Sequence, residues 1–289
     1  RYQKSILGIA SYTLLLSNAA FIDFSLSGLQ SEYNQYVYEN PLDSRYVDPA
    51  KKQYVSGNAF LTAGTENWHF NHTTTSITGK TDFTWQVDNI NQIKTGLDFT
   101  FHTIEYEDFQ IIIDASTNYK PMIDSGGFTY NTYQAKPFQF AYYIQDKIEI
   151  DYLIVNVGLR YDYFQPDGKY LIDPNNISVL DELQPPYPDS VQADATSKSQ
   201  ISPRIGLSYP ISDQGAIHIS YGHFFQIPPF EYLYLNPNYR IPLTGDYPEN
   251  IGTTLGNTDL KPQQTIMYEI GLQQALTEEL GVTITGYYK

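Results

Sequence analysis

The chain has 289 residues, no cysteine, and 32 acidic against 17 basic side chains, a formal charge of −15. Disulfide scaffolds, thiolate metal sites and cysteine nucleophiles are excluded, and so acidic a chain is an unsuitable partner for nucleic acid, whose phosphates need a basic surface. No run of about 18 apolar residues occurs, so a membrane role would have to use strands rather than a helix. Aromatic usage is dominated by 27 Tyr and 15 Phe beside 2 Trp, a bias that suits surfaces where an apolar medium meets water.

The first twenty residues, RYQKSILGIASYTLLLSNAA, combine basic residues, an apolar run and small residues in the manner of a signal peptide. Ser11 and Tyr12 interrupt that run, and the alternation favours a strand over 4–16 leading into a short turn. Strands are expected next at 20–38 and 72–87. Over 93–103, Ile93, Leu97, Phe99 and Phe101 alternate with Lys94, Asp98 and His102, the period of a strand with two unlike faces. Over 138–150, Phe138, Phe140, Tyr142, Ile144, Ile148 and Ile150 oppose Gln139, Gln145, Lys147 and Glu149, with Asp146 breaking the apolar row near a turn. Over 153–163, Leu153, Val155, Val157, Leu159, Tyr161 and Tyr163 oppose Asn156, Gly158, Arg160 and Asp162. Over 201–209, Ile201, Pro203, Ile205, Leu207 and Tyr209 oppose Ser202, Arg204, Gly206 and Ser208. Less regular strands are expected at 216–227, 264–275 and 281–288, about ten in all, and no amphipathic helix is evident.

The links carry the architecture. Short ones fall at 17–20, 88–91, 150–152, 212–215 and 277–280, long ones at about 40–67, 108–136, 165–200 and 228–262, in strict alternation. An antiparallel up-and-down meander then puts every short turn at one end and every long loop at the other, the layout of outer-membrane barrels. Strands of about 9–11 residues, enough to cross a bilayer when tilted, agree. The predicted fold is therefore all-β, a meander of about ten long strands forming part of a larger transmembrane β-barrel, with residues 1–289 as one partial barrel domain. Lys94, Asp98, Arg160, Asp162, Arg204 and Glu269 are expected to face a polar lumen, because a lipid-facing charge is costly and an open backbone edge in lipid is costlier still.

Four segments resemble the barrel of TonB-dependent outer-membrane receptors. They are GLRYDYF at 158–164, ISPRIGLSYPIS at 201–212, SYGHFFQIPPFEYLY at 220–234, and NIGTTLGNTDLKPQQTIMYEIGLQQ at 250–274. In the last, Gly256, Asn257, Leu260, Lys261 and Pro262 precede Tyr268, Glu269, Gly271 and Leu272, similar to the family's G-N-x-x-L-K-P run before a Y-E-x-G-L strand. The resemblance covers about 158–289; residues 1–157 share only the hairpin rhythm. It implies a barrel of about 22 strands filled by an N-terminal plug that lies outside this sequence. It also implies the bacterial outer membrane as location, with outer-membrane lipid, a TonB complex reached through the plug, and a small-molecule or glycan ligand as partners. The implied function is energy-dependent uptake of a scarce ligand: an iron chelate, a vitamin or a glycan. A passive porin, or a secreted carbohydrate-binding β-sandwich with its apolar faces pressed together, are the other readings.

Individual residues add less. Of five His, His218 and His223 are five apart on one strand and face opposite sides, while His69 and His72 could approach at a strand start; ordinary polar positions explain all of them better than a metal does. Asp162, Asp167, Gly168 and Asp173 miss the ligand spacing of a calcium loop and read as a turn. The GNTDLKP run reads as a loop delivering a strand. Tyr232, Tyr234 and Tyr239 in PPFEYLYLNPNY, with Tyr187, Tyr119 and Tyr130 in other long links, are candidate ligand contacts by ring stacking, against a plainer reading as an aromatic girdle and loop packing. No nucleophile, phosphate-loop or zinc-protease motif occurs, and Glu278 and Glu279 sit in a short turn. No catalytic residue, cofactor or metal is expected, and the chain is not read as an enzyme.

Overall fold

The computed structural model describes residues 1–47, 65–125, 129–173, 188–236 and 255–289, and the backbone alone at 53–54 and 61–63. In chain order the described strands are β1 (Tyr2–Ser17), β2 (Ala20–Gln35), β3 (Gln53–Tyr54), β4 (Leu61–Ala63), β5 (Trp68–Gln86), β6 (Asn91–Ile112), β7 (Met122–Ile123) and β8 (Tyr130–Ala135). They continue with β9 (Phe138–Ile150), β10 (Leu153–Gln165), β11 (Lys169–Leu171), β12 (Gln192–Asp194), β13 (Lys198–Ser212), β14 (Gly215–Gln226), β15 (Gln263–Ala275) and β16 (Gly281–Tyr288). One five-residue helix, α1 (Phe230–Tyr234), lies between β14 and β15.

Ten long strands form one antiparallel meander, β1-β2-β5-β6-β9-β10-β13-β14-β15-β16. Every expected strand is present, and β9 and β16 have the expected bounds. The N-terminal stretch is strand β1, paired along its length with β2. β1 and β16 each have one neighbour, so the described sheet is an open part of a barrel. Several strands exceed expectation: β13 extends three residues at each end, β5 begins at Trp68, and β6 runs to Ile112, with β8 pairing along its far end beyond the break at Lys136 and Pro137. There the outward face turns polar (Asn71, Thr73, Glu105, Glu107), so the apolar alternation that marks a strand is lost while the backbone ladder continues. The helix was missed because five residues give less than two turns of period.

The two prolines in β13 obey ladder chemistry. Pro203 pairs with Leu159 of β10 just before the β14 ladder starts at Arg204; Pro210 pairs with Ala216 of β14 after the β10 ladder has ended at Ser208. Each missing N–H therefore falls where one neighbour is absent.

Curvature follows from one cavity. Phe21 of β2 and Met267 of β15 both line it, yet seven ladder steps separate their strands, about 34 Å along a flat sheet. The sheet must curl, giving a concave and a convex face. On the convex face large apolar side chains stand bare: Leu26 is 59% exposed, Ile201 65% and Ile284 62%. A contiguous apolar surface of this kind needs an apolar neighbour, and its aromatic part is laddered, Phe101 on Phe138 at 4.9 Å and Tyr221 on Tyr268 at 5.0 Å between ring centroids. Among the described residues no helix is long and apolar enough to cross a membrane; the strands, at 12–22 residues for β1, β2, β5, β6, β9, β10, β13, β14 and β15, are.

Candidate functional site: the concave wall and its mouth

Register places the polar residues in rows across the concave face, since directly paired residues share a side. One row runs Gln200, Asp162, Ala141, Asp98, Lys80, Ser25; the next toward the short turns runs Ser202, Arg160, Tyr143, Gly96, Asp82, Asp23. A third holds Gly222, Arg204, Gly158, Gln145, Lys94 and Thr84, and Glu269 stands opposite Ser220 one row further. All six ionisable residues singled out from the sequence thus share one face. Lys94, Asp98, Arg160 and Arg204 line a single cavity of about 740 Å3. Asp162 is held to Arg160, whose Nε donates to its Oδ1 at 2.7 Å, while Glu269 lies outside that cavity's lining.

The wall is internally satisfied in part. Lys80 pairs with Asp82 at 2.9 Å, and the Tyr143 hydroxyl donates to Asp82 Oδ1 at 2.6 Å. To reach it, the Tyr143 ring lies over Gly96: a Cβ there would sit 2.6 Å from Tyr143 Cε1 and 2.5 Å from Asp82 Oδ1. The ring shields bare glycine backbone, a cross-strand aromatic rescue. Arg204 differs. Its guanidinium stacks over the Phe224 ring at 4.9 Å, flanked in its row by Gly158 and Gly222, and no described acid pairs with it at ion-pair distance. An exposed cation on an aromatic platform, with no acid at ion-pair distance, has the chemistry to receive an anionic group.

At the long-link end the β14–β15 link turns inward. Phe230 of α1 meets the His102 ring at 5.0 Å, and Tyr234 meets Tyr133 at 6.0 Å. Leu233 and Tyr234 are buried with Ile104, Ala135 and Phe164, so this short helix packs across the concave side against β6, β8 and β10. Its return is tight. Gly256 N–H donates to the Leu235 carbonyl at 2.7 Å and Asn257 N–H to the Tyr232 carbonyl at 2.9 Å; a Cβ on Gly256 would lie 2.6 Å from Leu235 N. Asp259 then accepts from the Thr196 N–H, the Thr196 hydroxyl and Lys198 Nζ at 2.8, 2.6 and 2.5 Å. Burial pushes the Asp259 carboxyl up, but these donors outweigh it and hold it below the usual range. The GNTDLKP run therefore delivers β15 and also clamps α1 and the entry to β13.

The tyrosines do not converge. Tyr232 is exposed on α1; Tyr234 is buried, its hydroxyl accepting from Asp167 N–H at 3.3 Å, with its pKa raised by burial. Tyr119 is exposed at the tip of the β6–β8 link with φ +55°, and Tyr130 donates to Glu107 Oε1 at 3.3 Å while packing on Phe109. Tyr187 and Tyr239 lie outside the described residues. His69 stacks between Tyr36 and Phe109 on the opposite face from His72, which lies by Phe70 and Tyr106. His218 and His223 also occupy opposite faces by register. Asp167, in the stretch read as a turn rather than a calcium loop, accepts from the Lys136 N–H at 2.7 Å, beside Gly168 at φ +127°. Phe230, Leu233 and Asp259 were not singled out beforehand; the aromatic run beside two prolines and the Asp inside GNTDLKP were the available signals.

A family profile described as "TonB dependent receptor-like, beta-barrel" matches residues 7–289. No curated protein matches the chain. Solved structures do: the copper transporter OprC has a TM-score of 0.61 at 15% identity, covering 99% of this chain and 38% of that one. The outer membrane transporter YddB from Escherichia coli has a TM-score of 0.56 at 18% identity, covering 95% of this chain and 33% of that one. The ferric-catecholate import receptor Fiu from E. coli K12 has a TM-score of 0.52 at 16% identity, covering 99% of this chain and 40% of that one. At these identities the likeness is one of fold, and the chain spans less than half the length of each.

Proposed function

The chain belongs to the TonB-dependent receptor β-barrel family, and from that premise we propose that residues 1–289 form one part of the barrel wall of an energised uptake receptor. The family's barrels are bacterial outer-membrane proteins, receptors and transporters rather than enzymes, and this chain shares that location. Its partners in this reading are outer-membrane lipid on the convex face, a plug domain linking it to a TonB complex, and a scarce small ligand that the long links capture. The structural neighbours carry names of copper and ferric-catecholate transport; here an iron chelate, a vitamin or a glycan is proposed, with no choice made among them by the wall itself.

The observation that carries the reading is the separation of faces. Ionisable side chains occupy the concave side row after row, and bare aliphatic and aromatic ones occupy the convex side. A β-sandwich would press those apolar faces together. α1 across the mouth favours a receptor over an open pore.

The test is uptake by cells lacking the gene, with and without the proton gradient that energises the outer membrane. Loss of accumulation of one ligand class, dependent on that gradient, is expected. Purified full-length protein that swells liposomes in sugar solutions without any energy source would instead make it a passive porin.

A further inference from the structure

We propose that a recess on the concave side, at the long-link end, is a binding subsite for the ammonium group of a small organic cation. The recess measures about 330 Å3 and is lined by Tyr33 and Gln35 of β2, Trp68 and Phe70 of β5, and Asp108 of β6. That is the lower end of the ~300–1,000 Å3 of small-molecule sites, room for a trimethylammonium head and a short tail.

Register brings these side chains together. Gln35 pairs with Phe70, and Phe70 with Asp108; directly paired residues share a side. Tyr33 and Trp68 lie two residues from Gln35 and Phe70 on their strands, so they point the same way. The side is the concave one, because β6 runs without a bulge from Asp98 to Asp108, an even number of steps. Tyr33 packs edge-on to Phe70 at 5.6 Å between ring centroids, and Trp68 stays 42% exposed. Ring surface is thus left for an occupant.

Asp108 supplies the charge. It is half-buried, yet among the described residues no donor reaches its carboxylate and no base lies at ion-pair distance. Neither of its oxygens is sealed from solvent, so both are available on the concave side. A half-buried carboxylate without a partner is a cost to the fold, which a bound cation offsets. The Tyr33 hydroxyl is already committed to Gln35 Oε1 at 3.3 Å. The one formal charge in the lining is negative and opposes an anion. Aromatic rings attract a cation through their quadrupole, indole most strongly, and rings around a charge are how quaternary ammonium groups are recognised. A neutral sugar would pack on the same rings but gain nothing from the carboxylate's charge.

The experiment uses full-length protein in dodecyl maltoside and saturation-transfer NMR with millimolar choline, empty micelles being subtracted. Beside it run dimethylbutanol, choline's uncharged carbon isostere, and methyl β-D-glucopyranoside. Transfer to choline alone is expected. Asp108→Asn keeps shape and removes the charge, so choline affinity should fall about five- to tenfold. Phe70→Leu should weaken it about two- to fivefold, and Asp108→Glu should hold it within about twofold. The melting temperature of ligand-free Asp108→Asn should stay or rise, because an unpaired half-buried charge is gone. A fall in that temperature with choline binding retained would assign the carboxylate to the fold and overturn the proposal. So would no transfer to choline, equal transfer to dimethylbutanol, preference for the glycoside, or equal choline binding by wild type and Asp108→Asn. The proposal rests on the receptor reading only for what the site serves, where it favours an ammonium-bearing chelate or vitamin over a neutral glycan. Choline bound in detergent with uptake unchanged in cells lacking the gene would sink the receptor and leave the site standing.

Discussion

Adjacent residues on β2 offer the sharpest test of which face meets lipid. Leu26 pairs with Ala10 and Gly79 on the convex side, and Ser27 pairs with Ile9 and Thr78 on the concave side. Both lie six or seven residues into a strand that starts at Ala20, about 16–18 Å from the turn for a tilt near 40°, close to the middle of an apolar band ~25 Å tall. Leu26→Arg puts a guanidinium into hydrocarbon there, which costs about 2–4 kcal/mol, a shift in the folding equilibrium of about thirtyfold to several hundredfold. Ser27→Arg puts the same group into the wet interior, where about 0.5 kcal/mol or less is expected for an exposed substitution. Refolding of full-length protein into phospholipid vesicles across a denaturant series, read by heat-modifiable gel mobility, gives both numbers side by side. Equal losses, or a larger loss for Ser27→Arg, would reverse the assignment of faces and with it the barrel.

Four further outcomes come from the wall and its mouth. Tyr143→Phe removes a hydroxyl that donates to the Asp82 carboxylate and should lose about 1–2 kcal/mol, the lower part of the range for a charged acceptor because the site is half-buried. Gly96→Ala forces a Cβ to 2.8 Å from the Thr81 carbonyl as well as onto Asp82, so about 1–3 kcal/mol is expected; denaturant midpoints in vesicles check both, and an unaffected Gly96→Ala would show that the ring over the glycine is incidental. Gly256→Ala drives a Cβ into the α1 turn and should expose the β14–β15 link to protease at unchanged barrel mobility on a gel. Asp259 titrates below its ordinary value when folded, so its contribution is present above the unfolded carboxylate pKa near 4 and lost as pH falls through the lower folded value. Proteolysis of the 196–198 and 257–262 segments should therefore rise on acidification below about pH 4, and Asp259→Asn should remove that acid step.

The strands were legible because one physical demand repeats along each of them. A wall between lipid and water needs unlike faces, and only alternation supplies them; hence Phe138–Ile150 came out with the expected bounds. The same logic explains the misses. Beyond residue 103 the outward side of β6 turns polar, with Glu105 and Glu107 on it, and nothing in the composition distinguishes that extension from a loop. Alternation also assigned Lys94, Asp98, Arg160, Asp162, Arg204 and Glu269 a common side without saying which of them meet. Their grouping depends on register across β6, β9, β10 and β13, and register is set by turn lengths and ladder ends such as those at Pro203 and Pro210.

The mouth was legible only as punctuation, and the reason lies in how links are stabilised. Tyr232 and Tyr234 look alike in sequence, two residues apart in an aromatic run, yet one is bare and the other sealed under the β10–β13 link. What separates them is a handful of long-range contacts: Phe230 on His102, Tyr234 on Tyr133 and Asp167, Gly256 on Leu235, Asp259 on Thr196 and Lys198. None is periodic, so no local pattern announces them. They share a cause all the same. A helix of five residues cannot hold itself together in water, and this one persists because the residues after it return within hydrogen-bonding distance and are themselves pinned to a neighbouring strand. In the proposed receptor, a mouth built this way would keep its rigid parts on the wall and leave recognition to link chemistry rather than strand chemistry.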